Sequence, residues 1–210
     1  MSTTVSYWPP ARYLLTSLLP RLGGGMERVA GRARITTSRG NAVAAAFAAA
    51  INDPAAATVR AAYSRLQAET DELYARITGE AATGGLAVRV EYRDHDPYHD
   101  ADELLDELRS GTIGVGPMRQ PHPLLGTGRG SPYDRFRVVH DVLGHAALGA
   151  GFDRHGEYAT WLIQRRLHSP AAAAALATEL HGENCVLWVT GRPAAHKAAL
   201  IDLPDARPFW

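Results

Sequence analysis

The chain has 210 residues, enough for one domain that buries well over half of its unfolded surface. Its 22 basic residues balance 22 acidic ones, so the electrostatic footprint of a nucleic-acid or anionic-membrane binder is excluded and a small neutral or zwitterionic partner is expected. A single cysteine, Cys185, excludes an intrachain disulfide and a cysteine-built zinc site.

The opening stretch, MSTTVSYWPPARYLLTSLLP, has no cationic segment ahead of an apolar core, and the longest apolar run, AVAAAFAAAI from residue 42, is far shorter than a membrane span. The sequence therefore predicts a cytoplasmic protein with no membrane partner. Through residue 40, Pro9-Pro10, Pro20 and three consecutive glycines break the chain into short helical pieces and loops. From Asp53 and Pro54, a cap and a first helical position, a long amphipathic helix runs to Gly79, with Val59, Ala62, Tyr63, Leu66, Leu73, Tyr74 and Ile77 at helical spacing. LAVRVEY (86–92) alternates as a strand does, and DADELLDELRSG forms a short helix with an acidic start and a glycine end.

Residues 111–131 read as a long Gly/Pro-rich connection, a kind of segment that packed domains keep when they have a use for it. Three helical segments follow: one from Ser131-Pro132 to about Leu148, one over 152–168, and one from Ser169-Pro170 to about Val189. The tail is a strand or loop. The expected class is mainly α, a single helical domain with a minor β element.

The chemistry concentrates in FRVVHDVLGHAALG (136–149). Phe136, Val139 and Leu143 mark a buried stripe, and His140 falls on it. His145, five residues on, lies about 140° round from His140 on a regular helix at roughly 100° per residue. The two imidazoles meet at one ion only if the helix is altered between them. Gly144 permits an end, a tightening or a turn. A further ligand is offered by ATELHGENCVLW: Glu179 and Glu183 share a helical face, and Glu183 interrupts the stripe of Leu176, Leu180 and Leu187. Glu179 is expected as a solvated helix-face charge. Glu183 is either a metal ligand or a buried acid paired with an arginine.

HDVLGH resembles the signature of the pterin-dependent aromatic amino acid hydroxylases, whose bacterial members carry an aspartate after the first histidine. The similarity extends through HAALGAGFDRHGEYATWLIQRRLHSP. It implies the catalytic core fold of that family, with residues 1–40 as an N-terminal extension packed on a metal-binding catalytic domain over 41–210. In the family a downstream glutamate completes a facial triad on Fe(II). The resemblance carries that role to Glu183, 38 residues after His145, and makes the ligands His140, His145 and Glu183. Two imidazoles and a carboxylate on one face leave positions open for dioxygen and a co-substrate.

The implied reaction is a monooxygenation of a small amino-acid-like or aromatic substrate, with the use of a pterin left open. Asp141 is expected to fix an imidazole tautomer, and Arg119 to hold a substrate carboxylate, with Arg129, Arg135 and Arg137 as other candidates. A homodimer is compatible with the sequence.

HDVLGH is also near the signature of HD-domain phosphohydrolases, where His99 or His122 would supply an earlier ligand and Asp153 or Asp202 a later one. A non-catalytic helical binding module with structural histidines is the third expectation. A dinuclear site with Glu157 or Glu179 added is a variant of the first, although Glu157 and His155 are otherwise read as surface or helix-start charges.

Overall fold

The structure is a computed structural model that describes residues 6–20, 25–118 and 120–203. It is mainly helical with one small sheet. Helices α1 (Pro9–Leu18), α2 (Gly25–Arg32) and α3 (Thr37–Ala49) precede the long α4 (Ala57–Thr78). Strand β1 (Arg89–Tyr92), helix α5 (Ala101–Arg109) and strand β2 (Thr112–Val115) form a parallel crossover, in register Arg89 to Thr112 through Tyr92 to Val115. Helices α6 (Pro132–Val139), α7 (Arg154–Leu167), α8 (Pro170–Leu176) and α9 (Glu183–Thr190) complete the chain order. Among the described residues, no helix is long and apolar enough to cross a membrane.

Most elements form where the sequence predicts them, and the departures have local causes. Asp53 does not cap α4 directly. Its carboxylate accepts from the backbone N–H groups of Ala55 and Ala56, each at 3.0 Å, closing a turn that delays the helix to Ala57. Strand β2 lies inside the stretch expected to be a connection. All four of its residues are buried, so no alternation marks it, and Gly114 is required because a Cβ there would come within 2.8 Å of the Pro97 side chain.

Ser131 and Ser169 cap α6 and α8 through their hydroxyls, each followed by the expected proline. Asp153 caps α7, accepting from His155 and Gly156 N–H.

The core joins α4 to α6 and α8, and α3 to α9. Val59, Ala62, Tyr63, Leu66, Leu73 and Ile77 form the inner face of α4, as predicted. Helix α1 is anchored near residues 146–148: Trp8 N–H donates to Ala146 O at 2.8 Å, and Arg12 donates to Ala147 O and Leu148 O. A cation thus meets carbonyls that helical bonding leaves open.

Two segments depart from α geometry. His140–Ala146 and Ala177–Gly182 are π-helical, continuing α6 and joining α8 to α9. Bonds from i to i+5 widen the turn, so that residues five apart come to lie nearly over one another.

Candidate metal centre

The first π turn resolves the problem posed by the spacing of His140 and His145. Five residues place the rings on opposite flanks of a regular helix, whereas the wide turn stacks them. Their Nε2 atoms lie 3.0 Å apart, with the rings edge to face. Gly144 neither ends the helix nor tightens it. It admits α7: a Cβ at Gly144 would sit 3.1 Å from Thr160 Cβ and 3.5 Å from His140 Nδ1.

The outer nitrogens are both engaged. His140 Nδ1 donates to Gln164 Oε1 at 2.9 Å, and His145 Nδ1 donates to Ala150 O at 3.0 Å. With both Nδ1 atoms protonated, the two Nε2 lone pairs face each other. That juxtaposition needs a cation or an extra proton between them.

The carboxylate facing the pair is Glu157, from the first turn of α7. Its oxygens lie 3.4 Å from His140 Nε2 and 3.4 Å from His145 Nε2. Asn184, one residue into α9, donates to Glu157 Oε2 at 2.8 Å and fixes its orientation. Metal bonds of about 2.1 Å at angles of roughly 90° to 110° separate donor atoms by about 3.0 to 3.4 Å, which is the spacing found here.

Burial opposes ionisation of both partners, yet they hold each other charged. Glu157 is pushed well below the usual carboxylate range, its burial outweighed by the two imidazoles. His140 is raised to about 9 against its burial, chiefly by Glu157. Asp141 offers an oxygen within 4.8 Å of a ring nitrogen of each histidine, and burial raises its pKa against the pull of the two histidines. It fixes neither tautomer; Gln164 and Ala150 do that.

Glu183 belongs elsewhere. Its carboxylate pairs with His196 Nδ1 at 2.9 Å, and the ligand atoms of Glu179, Glu183 and His196 all lie within 4.8 Å of one another. The second π turn explains the reassignment, because the wide turn shifts the helical phase. Leu187, expected on the core stripe, is 38% exposed, and Glu179, expected on a solvated face, has a side chain with no exposure. Glu179 Oε1 accepts from Tyr63 Oη and from His122 Nε2. Burial and then the charge of Glu179 push the Glu183 carboxyl up to about 7.

Arg119 lies outside the described residues. Arg135 pairs with Asp71, while Arg137 donates to Gly116 O at 2.7 Å and lines two cavities. One, of about 270 Å³, is walled by Tyr98, His140, Asp141, His145, Phe152 and Glu157. The other, of about 620 Å³, is walled by Tyr133, Glu183, Asn184 and His196. Asp96 and Arg137 face both.

The accessory ligands of the HD arrangement are engaged in other ways or lie on the surface: Asp153 caps α7, His122 serves Glu179, and His99 and Asp202 are exposed. His155 accepts from Ile35 N–H at the start of α7.

The sequence reads Glu157 as a surface or helix-start charge, with a place in a dinuclear site as the variant, and gives Gln164, Asn184 and His196 no role. A signal was present for the first two. Glu157, Thr160 and Gln164 recur at helical spacing through a helix otherwise lined by Tyr158, Trp161, Leu162 and Ile163, and a polar stripe in so apolar a segment requires partners. No protein-family model matches the chain, and no curated protein or solved structure matches it.

Proposed function

We propose that the protein is a mononuclear non-haem Fe(II) oxygenase in which His140, His145 and Glu157 hold the metal. The observation that carries this reading is the convergence of two Nε2 atoms and a carboxylate at 3.0, 3.4 and 3.4 Å, with each ligand tied from behind by Gln164, Ala150 or Asn184. Bound iron would supply the capacity to activate dioxygen, since three donors on one face leave the opposite face available.

The remaining chemistry falls to the chain's own residues. Phe152 packs edge to face with His145, ring centroids 4.7 Å apart, and walls the smaller cavity with an apolar surface. Tyr98 accepts from Gly114 N–H at 2.7 Å, which fixes its ring at the cavity rim. Arg137, facing both cavities, takes the role first expected of Arg119, orienting the carboxylate of an amino-acid-like or aromatic substrate. The resemblance around HDVLGH supports the same reaction class and leaves the use of a pterin open.

One observation favours a second reading. Asp141 offers an oxygen within 4.8 Å of a ring nitrogen of each histidine, and a metal held by the His140-Asp141 doublet is the arrangement of the HD phosphohydrolases.

Anaerobic loading with Fe(II), followed by oxygen-electrode measurement with aromatic amino acids and a reductant, separates the two. The oxygenase reading expects one iron bound at the imidazole centre and dioxygen uptake above that of free iron, both lost in Glu157→Gln and the iron retained in Asp141→Asn. Iron retained in Glu157→Gln but lost in Asp141→Asn overturns it in favour of the hydrolytic reading.

A further inference from the structure

The second cluster shares no residue with the first and has features that its fold alone does not require. Glu179 is fully enclosed, yet its two oxygens are treated differently. Oε1 accepts from Tyr63 Oη and His122 Nε2, and His122 is fixed as the Nε2–H tautomer because its Nδ1 accepts backbone N–H bonds from Leu124 at 3.0 Å and Leu125 at 2.8 Å. Oε2 is buried with no hydrogen-bond partner. It belongs to a carboxylate whose ligand atom lies within 4.8 Å of those of Glu183 and His196.

Two carboxylates this close, one of them fully enclosed, repel each other, and an unpartnered carboxylate oxygen is costly to bury. A cation answers both. The two donors on Glu179 Oε1 resemble the outer hydrogen bonds that orient metal-binding carboxylates.

We propose that Glu179, Glu183 and His196 form a second divalent-cation site, independent of the His140, His145 and Glu157 centre and open to the larger cavity. Two carboxylates and one imidazole suit a hard or borderline ion of the Mn(II) or Fe(II) kind better than a soft one. Access is through the cavity wall that Glu183 and His196 form, while Glu179 supplies the closed side. Arg137 shares that cavity, where its guanidinium, held by Gly116 O, would pair with an anionic group arriving beside the ion. The site thus fits a small anionic ligand bound between a cation and an arginine.

Metal counting tests this on the full chain. The metal-free protein is dialysed against Mn(II), and bound ion is counted by elemental analysis and electron paramagnetic resonance, with circular dichroism confirming the fold of each variant. Wild type is expected to hold two ions, Glu183→Gln and His196→Ala one each, His140→Ala one, and the His140→Ala/Glu183→Gln double variant none. His196 lies in the loop after α9, so its variant keeps the test sound if Glu183→Gln fails to fold.

A wild-type count that neither Glu183→Gln nor His196→Ala lowers overturns the proposal. A count unchanged in His140→Ala but abolished in Glu183→Gln supports the second site and removes the first. No bound ion in wild type removes both.

Discussion

The two π turns use one backbone device with opposite donor sets. Each follows a Ser-Pro-capped helix, eight residues long in α6 and seven in α8. The first sets two imidazoles nitrogen to nitrogen and borrows a carboxylate from α7. The second turns Glu179 into the core and sets Glu183 at its end, and it borrows an imidazole from the loop after α9. A glycine lets each turn pack closely, Gly144 against Thr160 and Gly182 against Phe47. A wide turn thus changes which residues share a face without changing the order of residues in the chain. Asn184 joins the two regions by carrying a hydrogen bond from the second helix run to Glu157.

The most direct way to break this comparison is to exchange the carboxylates. Glu157→Gln should weaken Fe(II) binding at the imidazole centre by more than about 100-fold, because even outer hydrogen-bond partners of metal ligands are worth about 10- to 100-fold. Glu183→Gln should leave that affinity within a few-fold, as read by titration with a chromogenic competitor. The reverse pattern would restore the carboxylate implied by family resemblance.

Gln164→Leu should cost about 10- to 100-fold in the same titration, since it frees the His140 ring and its tautomer. Gly182→Ala should destabilise the fold by about 1 to 3 kcal/mol in urea unfolding, because the new methyl would meet a Phe47 ring carbon at 2.6 Å. Gly144→Ala, with its nearest contact at 3.1 Å, should fall at the lower end of the same range of about 1 to 3 kcal/mol.

The smallest effect comes from His181, an imidazole in the second π turn that takes no part in either cluster. It lies face to face with Trp161, at 5.3 Å between centroids, and burial followed by the charges of Arg39 and Arg165 lowers its pKa to about 3. Its folded pKa lies below the ordinary value, so the unfolded chain takes up the proton first as pH falls. The stability tied to neutral His181 is therefore complete above about pH 6.5 and declines toward pH 3, at about 1.4 kcal/mol per pH unit. His181→Phe should flatten the urea midpoint between pH 6.5 and 4.5. An unchanged slope would show that another group titrates there.

Much of this architecture is legible in the sequence. Ser131-Pro132, Ser169-Pro170 and the α4 stripe give helix starts and faces because capping and amphipathic spacing act locally. His140 and His145 are legible as a pair, and their spacing correctly signals an altered helix. The form of that alteration is not legible, since it shows only once Thr160 of α7, distant from the turn in sequence, packs against Gly144.

The carboxylate follows the same logic. Regular helical geometry puts Glu183 on the core stripe with Leu180 and Leu187, and a phase shift that propensity does not encode moves Leu187 outward and Glu179 inward. Glu157 is read first as a helix-start charge, and only second as an added ligand, for a different reason. A first-turn glutamate is favourable to the helix dipole in any case, so its position raises no question until its partners are known.

On the proposed reading, His140, His145 and Glu157 surround one metal ion. An anomalous difference map at the iron edge, from crystals grown anaerobically with Fe(II), tests it most directly. A single peak within bonding distance of both Nε2 atoms and the Glu157 carboxylate is the expected result at this centre. A peak bound by Glu183 with the two imidazoles, or no density between the rings, would contradict it.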